Sequence, residues 1–188
     1  MNPIVKALLE DEDDDAINQG DLMPDAKEPQ KKYLEIGSIS HGTMQSRHLI
    51  HRFLAVLDTV DPEKREKIES EYTEGLVQMQ EAGVDQAEID EYQEDFCWND
   101  LSNALGEHTP PYTYFGANEG DGSDYGVWIS SESIEETLGY EDTDDLIAVE
   151  HGEEVSYPTH AEYVIIRNGR GDYEALLDGN TGKVIWRI

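Results

Sequence analysis

Gly106-Glu107-His108-Thr109-Pro110-Pro111-Tyr112-Thr113-Tyr114-Phe115 separates two kinds of sequence. The Pro110-Pro111 pair cannot continue a helix, because each ring removes an N–H donor and crowds the preceding turn. Upstream of it, apolar residues recur every three or four positions. Downstream, Tyr, Val, Ile and Trp gather in short runs separated by Gly, Asn and Asp. The first pattern has the period of helices; the second has the composition of strands and turns. The fold class that follows is α+β. An N-terminal helical unit of about three helices (residues 40–106) precedes a small, mainly antiparallel β-sheet (residues 111–188).

Working back from the prolines, Asp85 and Glu88 form a capping box for a helix that turns Ile89, Tyr92, Phe96, Leu101 and Leu105 inward. Asp61-Pro62 starts another, which carries Ile68, Tyr72, Leu76 and Met79 to a stop at Gly83. Thr43 is placed to cap the first, whose apolar face is Leu49, Ile50, Phe53, Leu54, Leu57 and Val60. Working forward, residues 112–117 and 125–130 are strand candidates on either side of the Gly-rich stretch 118–124. A short helix over 131–138 has Ser131 or Ser133 as its cap. Strands are expected at 146–149, 162–167, 173–177 and 183–188. The turn residues Asn168-Gly169 and those at 180–182 make the last three an antiparallel meander.

The chain has 188 residues, a length for one domain or two small ones. Its 43 Asp and Glu against 13 Lys and Arg leave a net charge of −30. That balance argues against direct binding of nucleic acid, which needs clustered cations, and against docking on an anionic membrane. The charge is unevenly spread: −7 over residues 1–30, +2 over 31–60, −12 over 61–110 and −13 over 111–188. Residues 1–35, with the acidic run at 10–15, read as a disordered acidic arm. Residues 36–188 read as a single α+β domain. One cysteine, Cys97, excludes an intramolecular disulfide, and no apolar run reaches membrane-spanning length. A soluble, cytoplasmic protein is expected.

Few residues suggest chemistry. Glu119, Asp121 and Asp124, in and beside Gly120-Asp121-Gly122-Ser123-Asp124, offer hard oxygen ligands for calcium or magnesium on a loop. The EF-hand spacing is missing, so a tight turn between strands is the competing reading. His48 and His51 lie one helical turn apart but between Arg47 and Arg52, poor company for a divalent cation. Cys97 sits among Glu94, Asp95 and Asp100, which raise a thiol pKa, and between Phe96 and Trp98, which suggests burial. No nucleophile elbow, phosphate loop or dinucleotide fingerprint is present, so neither catalysis nor a cofactor is implied. The remaining candidates are carboxylates on the predicted helices: Glu63, Glu66, Glu74, Glu81, Glu88, Glu91, Glu94 and Asp95. Acids three and four apart lie about 5–6 Å from each other on a helix. Such rows resemble the phosphate array of a duplex, which carries one charge per roughly 1.7 Å of axis. The competing reading is a solvated face that maintains solubility.

The block Tyr114-Phe115-Gly116-Ala117-Asn118-Glu119-Gly120-Asp121-Gly122-Ser123-Asp124-Tyr125-Gly126-Val127-Trp128 resembles a family of small, acidic, uncharacterised proteins of bacteriophages and prophages. In that family a YFGA-x-EGDG-x-D-[YF]-G-x-W segment follows a helix. The resemblance extends over roughly residues 40–188. Near the C-terminus it departs from the family, whose turn carries a His that is absent from Asn168-Gly169-Arg170-Gly171-Asp172. The family has no assigned activity, so the resemblance implies a phage setting rather than a reaction. The combined expectation is a non-enzymatic, phage-encoded protein. It would bind a host protein in the host cytoplasm, in one version as a DNA mimic against a restriction, CRISPR or other DNA-binding enzyme. The alternatives are a calcium- or magnesium-binding module or hydrolase built on the 119–124 loop, and a salt-adapted structural protein of a halophilic phage or host. Oligomeric state is left open, a homodimer included.

Overall fold

Asp61 and Asp85 begin two helices by the same device. In a computed structural model that describes residues 32–139 and 144–188, the Asp61 carboxylate accepts from the Lys64 N–H at 2.9 Å. That of Asp85 accepts from Ala87 and Glu88 at 2.9 and 3.1 Å. Each satisfies helix-start donors that have no intrahelical acceptor. The chain runs β1 (Gly37–His41), α1 (Ser46–Val60), α2 (Pro62–Ala82) and α3 (Gln86–Asp95). A π-helical segment (Phe96–Leu101) then leads into the short α4 (Ser102–Gly106). Beyond the prolines come β2 (Thr113–Asn118), β3 (Asp121–Ile129) and α5 (Ser131–Gly139). Strands β4 (Leu146–Glu150), β5 (Tyr163–Arg167), β6 (Tyr173–Asp178) and β7 (Val184–Arg187) complete the fold. The α+β class is as expected.

Several local expectations change. Thr43 does not cap α1; its hydroxyl accepts from Gln45 N at 3.2 Å, in the turn before the helix, and Gln45 precedes α1 without a side-chain cap. Ser130, rather than Ser131 or Ser133, serves α5, accepting from Ser133 N at 3.3 Å. The acidic segment 1–31 lies outside the described residues. Residues 32–35 belong to the folded unit that begins at Lys32: Leu34 is buried and its N–H donates to His108 O at 2.8 Å. The strands divide into two sheets, one ordered β1-β3-β2 and antiparallel, the other β4-β5-β6-β7. In the second, β5, β6 and β7 form the expected meander, while β4 pairs parallel to β5.

The first core lies between α1 and the three-stranded sheet. Leu49, Phe53 and Leu57 meet Cys97, Leu101, Leu105 and Val127, all fully buried. The Phe53 ring stands edge-on to Phe115 and Tyr125 at 4.9 and 6.2 Å. Burying each large apolar side chain contributes roughly 1.5–3 kcal/mol, so the α1 stripe alone fixes this helix on the sheet. The second core gathers Ile134 of α5 with Leu146, Ile165, Leu176 and Trp186. Ile36 touches both cores. At the same junction the Trp186 indole donates to Pro111 O at 3.0 Å, and Tyr112, at φ 60°, sets its ring edge-on to Tyr163 at 5.8 Å.

Helices α2 and α3 bury no residue completely. Gly83, at φ 68°, ends α2 in the left-handed conformation, and two residues later Asp85 starts α3. An aromatic stack joins the pair, with Tyr72 between Tyr92 (5.7 Å) and Phe96 (4.1 Å). Gly75 makes room for it: a Cβ there would lie 2.2 Å from the Tyr92 hydroxyl.

Candidate partner-binding surface

Residues 68–100 span most of α2, all of α3 and most of the π segment, and contain eleven carboxylates and no Lys, Arg or His. The three cations of α2, Lys64, Arg65 and Lys67, all lie in its first two turns. Neither α2 nor α3 has a base in its last turn, where one would complement the helix dipole. Of the eight carboxylates predicted as the binding surface, every one is exposed. None forms an ion pair among the described residues; the ion pairs there involve Asp61, Glu69, Glu107, Asp121 and Glu174.

The structure brings half of the eight together. Glu88, Glu91, Glu94 and Asp95 line one groove of about 580 Å³, with Met79 contributed by α2 and with Tyr92, Trp98 and Asn99. Glu63, Glu66, Glu74 and Glu81 lie along α2 outside it, on a helix of 21 residues, or roughly 31 Å at about 1.5 Å per residue. Two further acids that were not among the eight, Glu71 and Asp100, belong to this acidic region. Burial, then the Asp95 and Glu71 carboxylates, hold the Asp100 carboxyl above its ordinary pKa. Asp100 and Glu71 belong to different helical segments, so only the folded chain juxtaposes them. Burial chiefly, with these same acids as neighbours, likewise raises the Tyr92 hydroxyl.

The π-helical turn is another feature that periodicity did not reveal. Ser102 donates from both its N–H and its hydroxyl to Cys97 O, the latter at 3.0 Å. The wider turn keeps Phe96, Cys97 and Leu101 buried while Asn99 and Asp100 remain exposed. Burial pushes the Cys97 thiol up to about 12, which leaves it protonated at neutral pH and unsuited to nucleophilic attack.

The turn reading holds at Glu119 and Gly120, the tip of the β2–β3 hairpin, while Asp121 to Asp124 already belong to β3. Among the described residues no three His, Cys, Asp or Glu side chains form a group that could hold a metal ion. The Asp121 and Asp124 oxygens are engaged locally. Asp121 Oδ1 accepts from Ser123 N and Oγ at 2.9 and 2.8 Å, Oδ2 faces His41 Nε2 at 3.1 Å, and Asp124 accepts from Ser38 Oγ at 2.5 Å. The Ser123 hydrogen bonds, and then His41, hold the Asp121 carboxyl below its ordinary pKa. A carboxyl whose folded pKa is depressed stabilises the fold above its unfolded pKa, and that contribution is lost as pH falls through the folded one. Carbon-detected NMR titration should therefore place the Asp121 midpoint below that of a model Asp peptide, and Ser123→Ala should move it upward. His48, His51, Arg47 and Arg52 form an exposed basic side of α1.

The fold and this surface together define a small α+β protein with an acidic helical pair that is free of cations over residues 68–100. Comparison with family models, curated proteins and solved structures returns no match.

Proposed function

We propose that the protein is a non-enzymatic, phage-encoded protein that binds a host protein in the host cytoplasm through its acidic helices, taking the place of DNA on a DNA-binding enzyme. The observation that carries this reading is the run of eleven carboxylates, without one cation, on helices that bury little of themselves. On α3, Glu88, Glu91, Glu94 and Asp95 recur every three or four residues, an axial spacing of about 5 Å. That is within a factor of two of the roughly 3.4 Å between phosphates along one strand of a duplex. Like charges at these spacings destabilise a helix by a few tenths of a kcal/mol per pair, a standing cost that a binding role accounts for.

The test is competition. The protein is titrated into preformed complexes of DNA with a panel of restriction enzymes, nucleases and CRISPR effectors. Displacement of DNA from at least one is expected, weakening steeply between about 50 and 200 mM salt, as phosphate-like contacts do. Displacement from none, or displacement indifferent to salt, would overturn the proposal.

A further inference from the structure

The groove between α2 and α3 is more than a set of acids. Its walls include Met79, Tyr92 and Trp98, so carboxylates border an apolar and aromatic surface. Trp98 is held from behind by Tyr125, with ring centroids 5.2 Å apart, and is half-buried rather than submerged. The other two indoles donate to main-chain carbonyls, Trp128 to Gly116 and Trp186 to Pro111, each at 3.0 Å. The Trp98 indole N–H has no such acceptor among the described residues. An aromatic face beside an unneutralised carboxylate row suits one occupant best. A guanidinium is planar, weakly hydrated and able to stack on a ring while its edge donates to carboxylates; an ammonium is a compact, strongly hydrated point charge.

We infer that this groove receives an arginine-bearing segment of the partner, with a guanidinium against the Trp98 and Tyr92 wall and its N–H groups directed to the carboxylates of Glu88, Glu91 and Asp95. The inference rests on the acidic-surface reading above and narrows it to the chemistry of the partner. DNA-binding clefts contain both arginine and lysine, so a preference between the two separates a shaped groove from a diffuse negative surface.

The full-length protein is titrated by calorimetry, at fixed ionic strength, with capped nona-arginine and nona-lysine peptides. Nona-arginine should bind at least about threefold more tightly, the advantage expected from stacking of one guanidinium. Trp98→Leu should abolish that preference while leaving nona-lysine affinity within about twofold. The pair Glu88→Gln and Glu91→Gln should weaken both peptides about tenfold; the equally conservative pair Glu132→Gln and Glu135→Gln, exposed on α5 and outside the acidic helices, should change them less than twofold. Equal affinity of the wild type for the two peptides would overturn the inference, as would equal weakening by the two Glu pairs. Should Trp98→Leu fail to fold, those two comparisons still decide it. If DNA displacement persists without an arginine preference, the groove is wrong and the acidic-surface reading stands. If both are absent, both fall.

Discussion

Gly126→Ala should unfold the protein at a temperature roughly 6–12 °C lower than the wild type, a loss of about 3 kcal/mol or more. Gly126 is buried at the centre of β3, paired with Ser38 of β1 on one side and Gly116 of β2 on the other. A Cβ at this position would lie 2.1 Å from Gly37 O, 2.9 Å from Gly37 C and 3.0 Å from Ser38 Cα. All three are main-chain atoms, so no rotamer change relieves the clash, and β1 must move away from β3. Gly122, four residues earlier in the same strand, has nothing within 4 Å of its Cβ position. Gly122→Ala is therefore the matched control and should change the melting temperature by less than about 2 °C. Thermal unfolding followed by circular dichroism reads both, and equal behaviour of the two variants would refute this packing account of Gly126.

That glycine shows how far the sequence alone could be read. The block from Tyr114 to Trp128 stands out in the sequence by its glycines and aromatics, and its glycines invite a loop or ligand interpretation. Gly126, within the expected strand 125–130, has a role the sequence does not show: it lets β1 approach, a requirement arising from a segment more than eighty residues away. The same distance hid β1 itself. Its sequence, Gly37-Ser38-Ile39-Ser40-His41, has only one fully buried residue and lacks the alternation that marks a half-buried strand. Parallel pairing of β4 with β5 was equally unreadable, because strand patterns do not encode which neighbour a strand chooses. What was legible was local: Asp61-Pro62, the Asp85 cap, the Gly83 stop and the apolar stripe of α1 are each set by residues within one or two turns.

The proposed binding surface divides along the same line. Exposure of all eight carboxylates followed from the helical period, which assigns them to faces away from the apolar stripes. Their grouping did not follow. Glu88, Glu91, Glu94 and Asp95 share a groove with Met79 only because Gly83 and Asp85 fold α3 back on α2, and Trp98 joins them through the π-helical turn. Carboxylates crowded between elements, such as Glu71 and Asp100, become visible only when two helical segments are placed side by side.

Replacing Glu91 and Glu94 with lysine should weaken binding to the proposed DNA-binding partner by at least about a hundredfold, because setting like charges against each other at an interface costs several kcal/mol. The same substitutions should leave the fold intact or strengthen it. A cation at 91 would have Glu88 three residues before it and Asp95 four after; one at 94 would have Asp90 four before it. Each such opposite pair adds roughly 0.2–0.5 kcal/mol to a helix, and each replaces a repulsion of similar size. A melting temperature raised by roughly 2–12 °C is the expected result for a chain of this size. The opposed signs are what make the experiment decisive. A merely solvated acidic face would gain the same stability and lose no binding, since nothing would have been built against a cationic partner. A face kept acidic at the expense of helix stability must instead show its benefit in the complex. Calorimetric affinity and melting temperature, measured on the same variant, should therefore move in opposite directions, and parallel movement would remove the functional account of the acidic helices.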